Sequence, residues 1–234
     1  MKLTDLQLKL YEKLKPSGWG DKLKGFLLSQ EFTDILTELY NQSQEGKKFT
    51  PVIKEIFRAF EECPYNDLKV VIVGQEPYPK MNIADGIAFS CSYTREEQPS
   101  LRYVFDEIAR TVRESPPREE FDPDLKRWSN QGVLMLNTSL TCEINNLGSH
   151  TALWKPFINY LFDILNSNNT GIIYVFLGKK AMEWHKYIEK NNYKFFTTYP
   201  DAALYRKDDQ WDSGNVFNQL NFVLKRNNNT EIIW

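Results

Sequence analysis

Histidine is scarce in this chain, which has only His150 and His185, and cysteine is little commoner, with Cys63, Cys91 and Cys142. Two histidines argue against a histidine-rich zinc site, and no metal or other cofactor is expected. Three cysteines, odd in number and far apart, argue against a disulfide framework or a four-cysteine cluster and fit a reducing compartment. No stretch approaches the ~20 consecutive apolar residues a membrane span needs, and the opening MKLTDLQLKLYEKL is amphipathic. A cytoplasmic protein is expected, or a nuclear one in a eukaryote. Charge of one sign is not in excess: 29 Lys and Arg against 31 Asp and Glu give a net −2. That balance argues against a protein that coats nucleic acid indiscriminately, although it leaves room for a local basic stripe. Repeats, low-complexity tracts and linker-like shifts of composition are also missing. The reading is therefore one domain over residues 1–234, with a helical lead-in over 1–62.

Aromatic residues, in contrast, are plentiful. Fifteen Phe, 12 Tyr and 6 Trp offer more ring surface than a core ordinarily uses, so some rings are expected at a binding surface. Val70, Val71, Ile72 and Val73 form an uninterrupted β-branched run that stops at Gly74, the pattern of a strand buried on both faces. Gln75, Glu76, Pro77, Tyr78 and Pro79 follow, too polar and proline-rich for a helix. They make a loop at the carboxyl end of a central strand, where open α/β sheets place ligands. Further buried strands are read at Val133 to Leu136 and Ile172 to Leu177, and a fourth at Lys194 to Thr198. Between them lie helical stripes. Thr50 and Pro51 read as the N-cap and first position of a helix carrying Ile53, Ile56, Phe57 and Phe60. Ser100 reads as the N-cap of a helix carrying Leu101, Val104, Phe105 and Ile108. Another helix starts near Pro156, one carries Ala181, Trp184, Tyr187 and Ile188, and a last one carries Trp211, Phe217, Leu220 and Leu224. Strands alternating with helices predict an α/β fold: a three-layer α/β/α sandwich around a central four-stranded parallel sheet.

The order GQEPYP, six residues, then GIAFS, over 74–90, resembles the water-activating loop of the uracil-DNA glycosylase family, GQDPYH, six residues, then GLAFS. Two departures stand out: Glu76 stands where the family has its catalytic Asp, and Pro79 where it has a His. LMLNTSLT, ending at Thr141, is similar to the family's LLLNTVLT, and Gly148-Ser149-His150 with Trp154 matches its Ser-His and downstream Trp. At the end of the fourth strand, Thr198 to Arg206 stands where the family has His-Pro-Ser-Pro-Leu-Ser, with Tyr199 in the place of the His. The likeness extends over most of the chain.

The resemblance implies a monofunctional DNA glycosylase that flips a pyrimidine, uracil by default, out of single- or double-stranded DNA and hydrolyses its N-glycosidic bond. Glu76 and Tyr199 would be catalytic. Gln75, Tyr78, Phe89 and Asn137 would bind the base: Phe89 by stacking, Tyr78 by filling the space beside C5, Asn137 by its amide. An amide carries both a donor and acceptors and so matches uracil N3–H and O4 together. Pro99, Ser100, Ser149, His150, Leu204 and Arg206 would face DNA, with Leu204 as the wedge. For His150 the residues allow either a cap on the following helix or a place in the groove. A monomer is expected. Two other readings share these residues. One is the same chemistry on a modified pyrimidine of phage DNA, as an antiviral defence, which the exchanges at 76 and 199 motivate. The other is a DNA-binding or replication accessory protein in which catalysis has weakened.

Overall fold

The computed structural model describes residues 3–168, 170–197 and 211–234. The chain opens with helices α1 (Leu3–Leu14), α2 (Trp19–Leu27) and α3 (Gln30–Gln44), a two-residue strand β1 (Phe49–Thr50) and a short helix α4 (Arg58–Glu62). Strand β2 (Val70–Gly74) follows, and then a long irregular stretch up to α5 (Pro99–Thr111). Next come α6 (Lys126–Ser129), β3 (Val133–Asn137), β4 (Cys142–Glu143) and α7 (Thr151–Asn168). The chain closes with β5 (Ile173–Leu177), α8 (Lys179–Met182), β6 (Tyr193–Thr197) and α9 (Val216–Arg226).

Four strands form one parallel sheet in the order β3-β2-β5-β6, with helices on both sides, as the alternating pattern predicts. β2 and β5 are buried at every position, which is why their sequences are continuous apolar runs. The chain leaves β2 toward β3 and leaves β5 toward β6, so the connections diverge in the middle of the sheet, the place where such sheets open a crevice. Most large aromatic residues are core: Trp19, Trp128, Trp154, Trp234 and Tyr174 are among the fully buried side chains. Tyr40, Tyr93, Phe196 and Phe222 are the large rings most open to water among the described residues.

Several boundaries differ from the sequence reading. Thr50 is not a helix cap. Its backbone is used by pairing antiparallel with Cys142, and the stripe from Ile53 to Phe60 is divided between a single 3₁₀ turn (Ile53–Glu55) and α4. The stripe still does its work, since Ile56, Phe57 and Phe60 are buried. Ser100 is the second residue of α5 rather than its cap. Pro99 takes the first position, where a missing N–H costs nothing, and Gln98 precedes it without a side-chain cap. α7 begins at Thr151, five residues before Pro156, with the His150 carbonyl accepting from Trp154 N–H at 3.1 Å. The Ala181 to Ile188 stripe forms only α8 and a 3₁₀ turn (His185–Tyr187). Trp211 is buried but precedes α9.

Candidate active site

The carboxyl ends of β2 and β3 lie side by side, with Gly74 opposite Asn137 in register. The backbone ladder continues beyond both strands. Thr138 N–H donates to the Gly74 carbonyl at 3.1 Å and Ser139 N–H to the Gln75 carbonyl at 2.9 Å, while the Thr138 hydroxyl also reaches Gln75 O at 3.1 Å. The loop carrying Glu76 and the loop carrying Asn137 thus share one foundation.

Gly74 is required at this junction by close approach. A Cβ there would lie 2.9 Å from Asn137 Oδ1 and 3.1 Å from two atoms of the Phe89 ring. Those contacts bring the Asn137 amide and the Phe89 ring together over one glycine. The Tyr78 hydroxyl donates to the Phe89 carbonyl at 3.1 Å, which ties its ring to the same spot. Aromatic surface and a two-way hydrogen-bonding amide therefore converge, the combination that a flipped base needs for stacking and edge reading.

Phe89 adopts a φ of 67°, unusual for a bulky residue, and the surrounding loop holds it there. Asp85, 1% exposed, is the anchor. It accepts from Ile87 N–H at 3.1 Å, Ser90 Oγ at 2.6 Å and Ser92 N–H at 2.9 Å, and pairs with Arg58 Nη1 at 2.8 Å. Arg58 in turn grips Asp124 with one nitrogen at 2.8 and 3.0 Å. Ala88 N–H donates to the Met135 carbonyl at 3.1 Å, fastening the same loop to the outer edge of β3. The sequence reading missed Asp85 and Arg58. The available signal was a carboxylate inside the otherwise apolar IADGIAF.

Glu76 is partly buried at the mouth of this arrangement. Its Oε1 accepts from Gln75 Nε2 at 2.9 Å, and its Oε2 from the Gly148 backbone N–H at 2.7 Å. A carboxylate has about four lone-pair positions, so two donors leave capacity for a water molecule. The second donor comes from the turn that follows β4. Asn145 and Gly148 have φ values of 60° and 80°, and Asn145 N–H also donates to the Pro79 carbonyl at 3.0 Å. Inside the turn, Ser149 Oγ accepts from Glu143 N–H at 2.9 Å. Cys142 is fully buried beneath it, and burial, followed by the negative charge of Glu76, pushes its thiol up to about 12.

The structure takes His150 out of the groove. The residue is 1% exposed, its Nδ1 is 2.8 Å from Thr141 Oγ1, and its Nε2 is 2.9 Å from Gln42 Oε1. Trp154 Nε1 donates to the same Thr141 oxygen at 2.7 Å, and Gln42 Nε2 donates to Glu38 at 2.8 Å. Donors and acceptors then run in one direction, Trp154 to Thr141 to His150 to Gln42 to Glu38, with the neutral ring protonated on Nε2. Desolvation lowers the pKa of the imidazole, in keeping with that form. His150 supports the base of the Asn137 loop instead of facing solvent, and only its backbone carbonyl serves α7. Pro99 is exposed and Ser100 partly so, at the N-terminus of α5, where backbone N–H groups are free to meet an anion. Tyr199, Leu204 and Arg206 lie outside the described residues. No helix among the described residues is long and apolar enough to cross a membrane.

Residues 60–225 match the sequence pattern of the family described as the Uracil DNA glycosylase superfamily. The chain is 31% identical over its whole length to a uracil-DNA glycosylase of Acinetobacter baumannii, strain SDF, of which it covers 98%. It is 30% identical over 92% of its length to the uracil-DNA glycosylase of Christiangramia forsetii, covering 96% of that protein. Among solved structures, mimivirus uracil-DNA glycosylase superposes with a TM-score of 0.81 over 96% of this chain and 88% of that one, at 24% identity. Its likeness bears on the fold.

Proposed function

Because the chain belongs to the uracil DNA glycosylase superfamily, we propose that it acts as one domain to remove uracil from DNA by hydrolysing the N-glycosidic bond, leaving an abasic site. The observation that carries this reading is the convergence at the ends of β2 and β3. A carboxylate with spare acceptor capacity stands beside an aromatic ring and an amide that meet over Gly74.

Each group has a part in a dissociative cleavage. As the bond lengthens, positive charge develops on the deoxyribose and negative charge on the departing base. Glu76, fixed by two N–H donors, stabilises the sugar cation and holds the attacking water; it need not reorganise at the moment of reaction. Phe89 stacks on the extruded base, and Asn137 pairs with N3–H and O4. Tyr78, tied to the Phe89 carbonyl, fills the space that a C5 methyl would occupy, so thymine is refused by overlap. Tyr199 is a neutral phenol at pH 7 and supplies a donor to the base anion, while Pro99, Ser100, Leu204 and Arg206 face the DNA strand. The enzyme works as a monomer on DNA.

The test is abasic-site formation by the purified protein on matched oligonucleotides bearing uracil, thymine or a bulky C5-substituted pyrimidine. Release of uracil alone is expected. Release of the bulky base with uracil spared would replace uracil with a modified pyrimidine as substrate, and binding without release would leave a DNA-binding protein.

A further inference from the structure

The turn from Glu143 to Ser149, which brings Gly148 N–H to Glu76, has an acceptor for almost every backbone N–H it contains. Glu143 N–H donates to Ser149 Oγ at 2.9 Å, Ile144 N–H to the Lys48 carbonyl at 2.8 Å, Asn145 N–H to that of Pro79 at 3.0 Å, Asn146 N–H to that of Glu143 at 3.1 Å and Ser149 N–H to that of Asn146 at 3.3 Å. The Asn146 amide adds a bond to Glu143 Oε2 at 2.9 Å. Leu147 is the exception. Its N–H has no acceptor among the described residues, and its side chain, 68% exposed, is the large apolar one most open to water among them. A single exposed leucine is ordinary on a protein surface. Its place here is not. Gly148 N, 2.7 Å from Glu76 Oε2, is bonded to the Leu147 carbonyl carbon, so standard backbone dimensions put Leu147 Cα within about 5 Å of that oxygen. The ground beside it is open, since a Cβ on Gly148 would meet nothing within 4 Å.

A deoxyribose brought to Glu76 arrives beside Leu147 with its own strand attached. The turn cannot swing aside to avoid it, being fastened to Lys48 on one side and to Pro79 and Glu76 on the other. An isobutyl group next to an unpaired N–H suits a nucleotide, whose sugar and base edge offer apolar surface and whose phosphate offers an acceptor. We propose, on the glycosylase reading of where the strand lies, that Leu147 is a second apolar contact to DNA: it packs against the nucleotide next to the extruded one, with its N–H as donor to a phosphate oxygen there. It acts from a different segment of the chain than Leu204. Packing on the neighbour hinders the extruded nucleotide from returning to the stack, so the contact strengthens binding of the flipped strand without touching the bond that breaks.

The experiment measures binding of the full chain to a strand carrying a tetrahydrofuran abasic residue, which has no base to release. Leu147→Ala should bind about tenfold more weakly, the size expected when most of a leucine's apolar burial is lost, and the slope of affinity against salt should not change, because the side chain neutralises no phosphate. Leu147→Met should stay within about twofold of wild type. 2-Aminopurine, whose fluorescence is quenched by stacking, is placed on either side of the abasic residue; it should brighten with wild type and brighten less with saturating Leu147→Ala, on one side only. In single-turnover release of uracil, the Ala variant should be about tenfold slower at limiting enzyme and within about twofold of wild type at saturating enzyme. A deficit that persists at saturation with affinity intact would show that Leu147 only holds Gly148 against Glu76, and wild-type fluorescence on both sides would overturn the contact even if affinity fell. Wild type that binds through Leu147 yet releases no base would sink the glycosylase reading and leave the contact in place. Wild type that releases uracil, matched by the Ala variant at every concentration, would do the reverse.

Discussion

Replacing Glu76 with glutamine keeps the size and shape of the side chain and removes one charge. The fold should barely notice. A glutamine oxygen can still accept from Gly148 N–H at the 2.7 Å position, and Gln75 can rotate its amide to present oxygen in place of nitrogen. What is lost is attraction to the sugar cation. Two unit charges ~4 Å apart interact by about 4 kcal/mol at an effective dielectric of ~20. Glu76 is only partly buried, and allowance for solvent screening brings this to roughly 3 kcal/mol, or somewhat more than a hundredfold in rate. The charge acts mainly in the transition state, so affinity for DNA should change little. The assay is single-turnover release from a uracil-containing strand with enzyme in excess, alongside a binding titration. A loss of less than threefold would refute the assignment of Glu76, and a loss traced wholly to weaker binding would refute the stated mechanism.

Gly74→Ala places a Cβ 2.9 Å from Asn137 Oδ1, so the Asn137 amide must shift; cleavage should fall at least tenfold while the melting temperature stays nearly constant, and normal turnover would contradict the proposed role of Asn137. Tyr78→Ala should open the C5 side, giving measurable release of thymine from strands that wild type leaves intact. Asp85→Asn leaves Arg58 its Asp124 partner but breaks a buried pair, and urea unfolding should register a loss of about 3 kcal/mol; under 1 kcal/mol would mean the loop stands without it. His150 has a folded-state pKa below its ordinary 6.5, so the unfolded chain takes up the proton first as the pH falls. Its contribution to stability should be complete above about 6.5 and decline as the pH drops from there through the folded value, a slope that His150→Gln should flatten in pH-dependent unfolding.

The sheet was easy to read because its strands are fully buried. The unbroken VVIV of β2 and IYVFL of β5 announce strands with no neighbour to consult. Glu76, Tyr78, Phe89 and Asn137 stand out in the sequence because they fall in loops whose residue order is distinctive, and the structure brings the last three together at the ends of β2 and β3. What could not be read depends on contacts between distant segments. Thr50 and Pro51 have the local chemistry of a helix start, yet pairing with Cys142, far along the chain, decides otherwise. One of the two donors to Glu76 is a backbone N–H 72 residues away, and a backbone group leaves no mark in the sequence. His150 was ambiguous for the same reason. Whether an imidazole next to a helix start faces outward depends on what fills the space beside it, here Gln42 from α3 and Thr141 from the opposite loop.

Thr138 and Ser139, bonded back to Gly74 and Gln75, prolong the sheet past the last residue of either strand. Mechanically, the loop that carries Asn137 and the loop that carries Glu76 stand on one slab. Thermal motion carries both together, so the spacing between them is preserved even when the slab as a whole is displaced. The amide hydrogens of these two residues therefore belong with those of the strands, exchanging with solvent only when the sheet itself opens. A mutation that loosens the slab should cost recognition and chemistry in equal proportion, whereas one that alters a single side chain upon it can separate them.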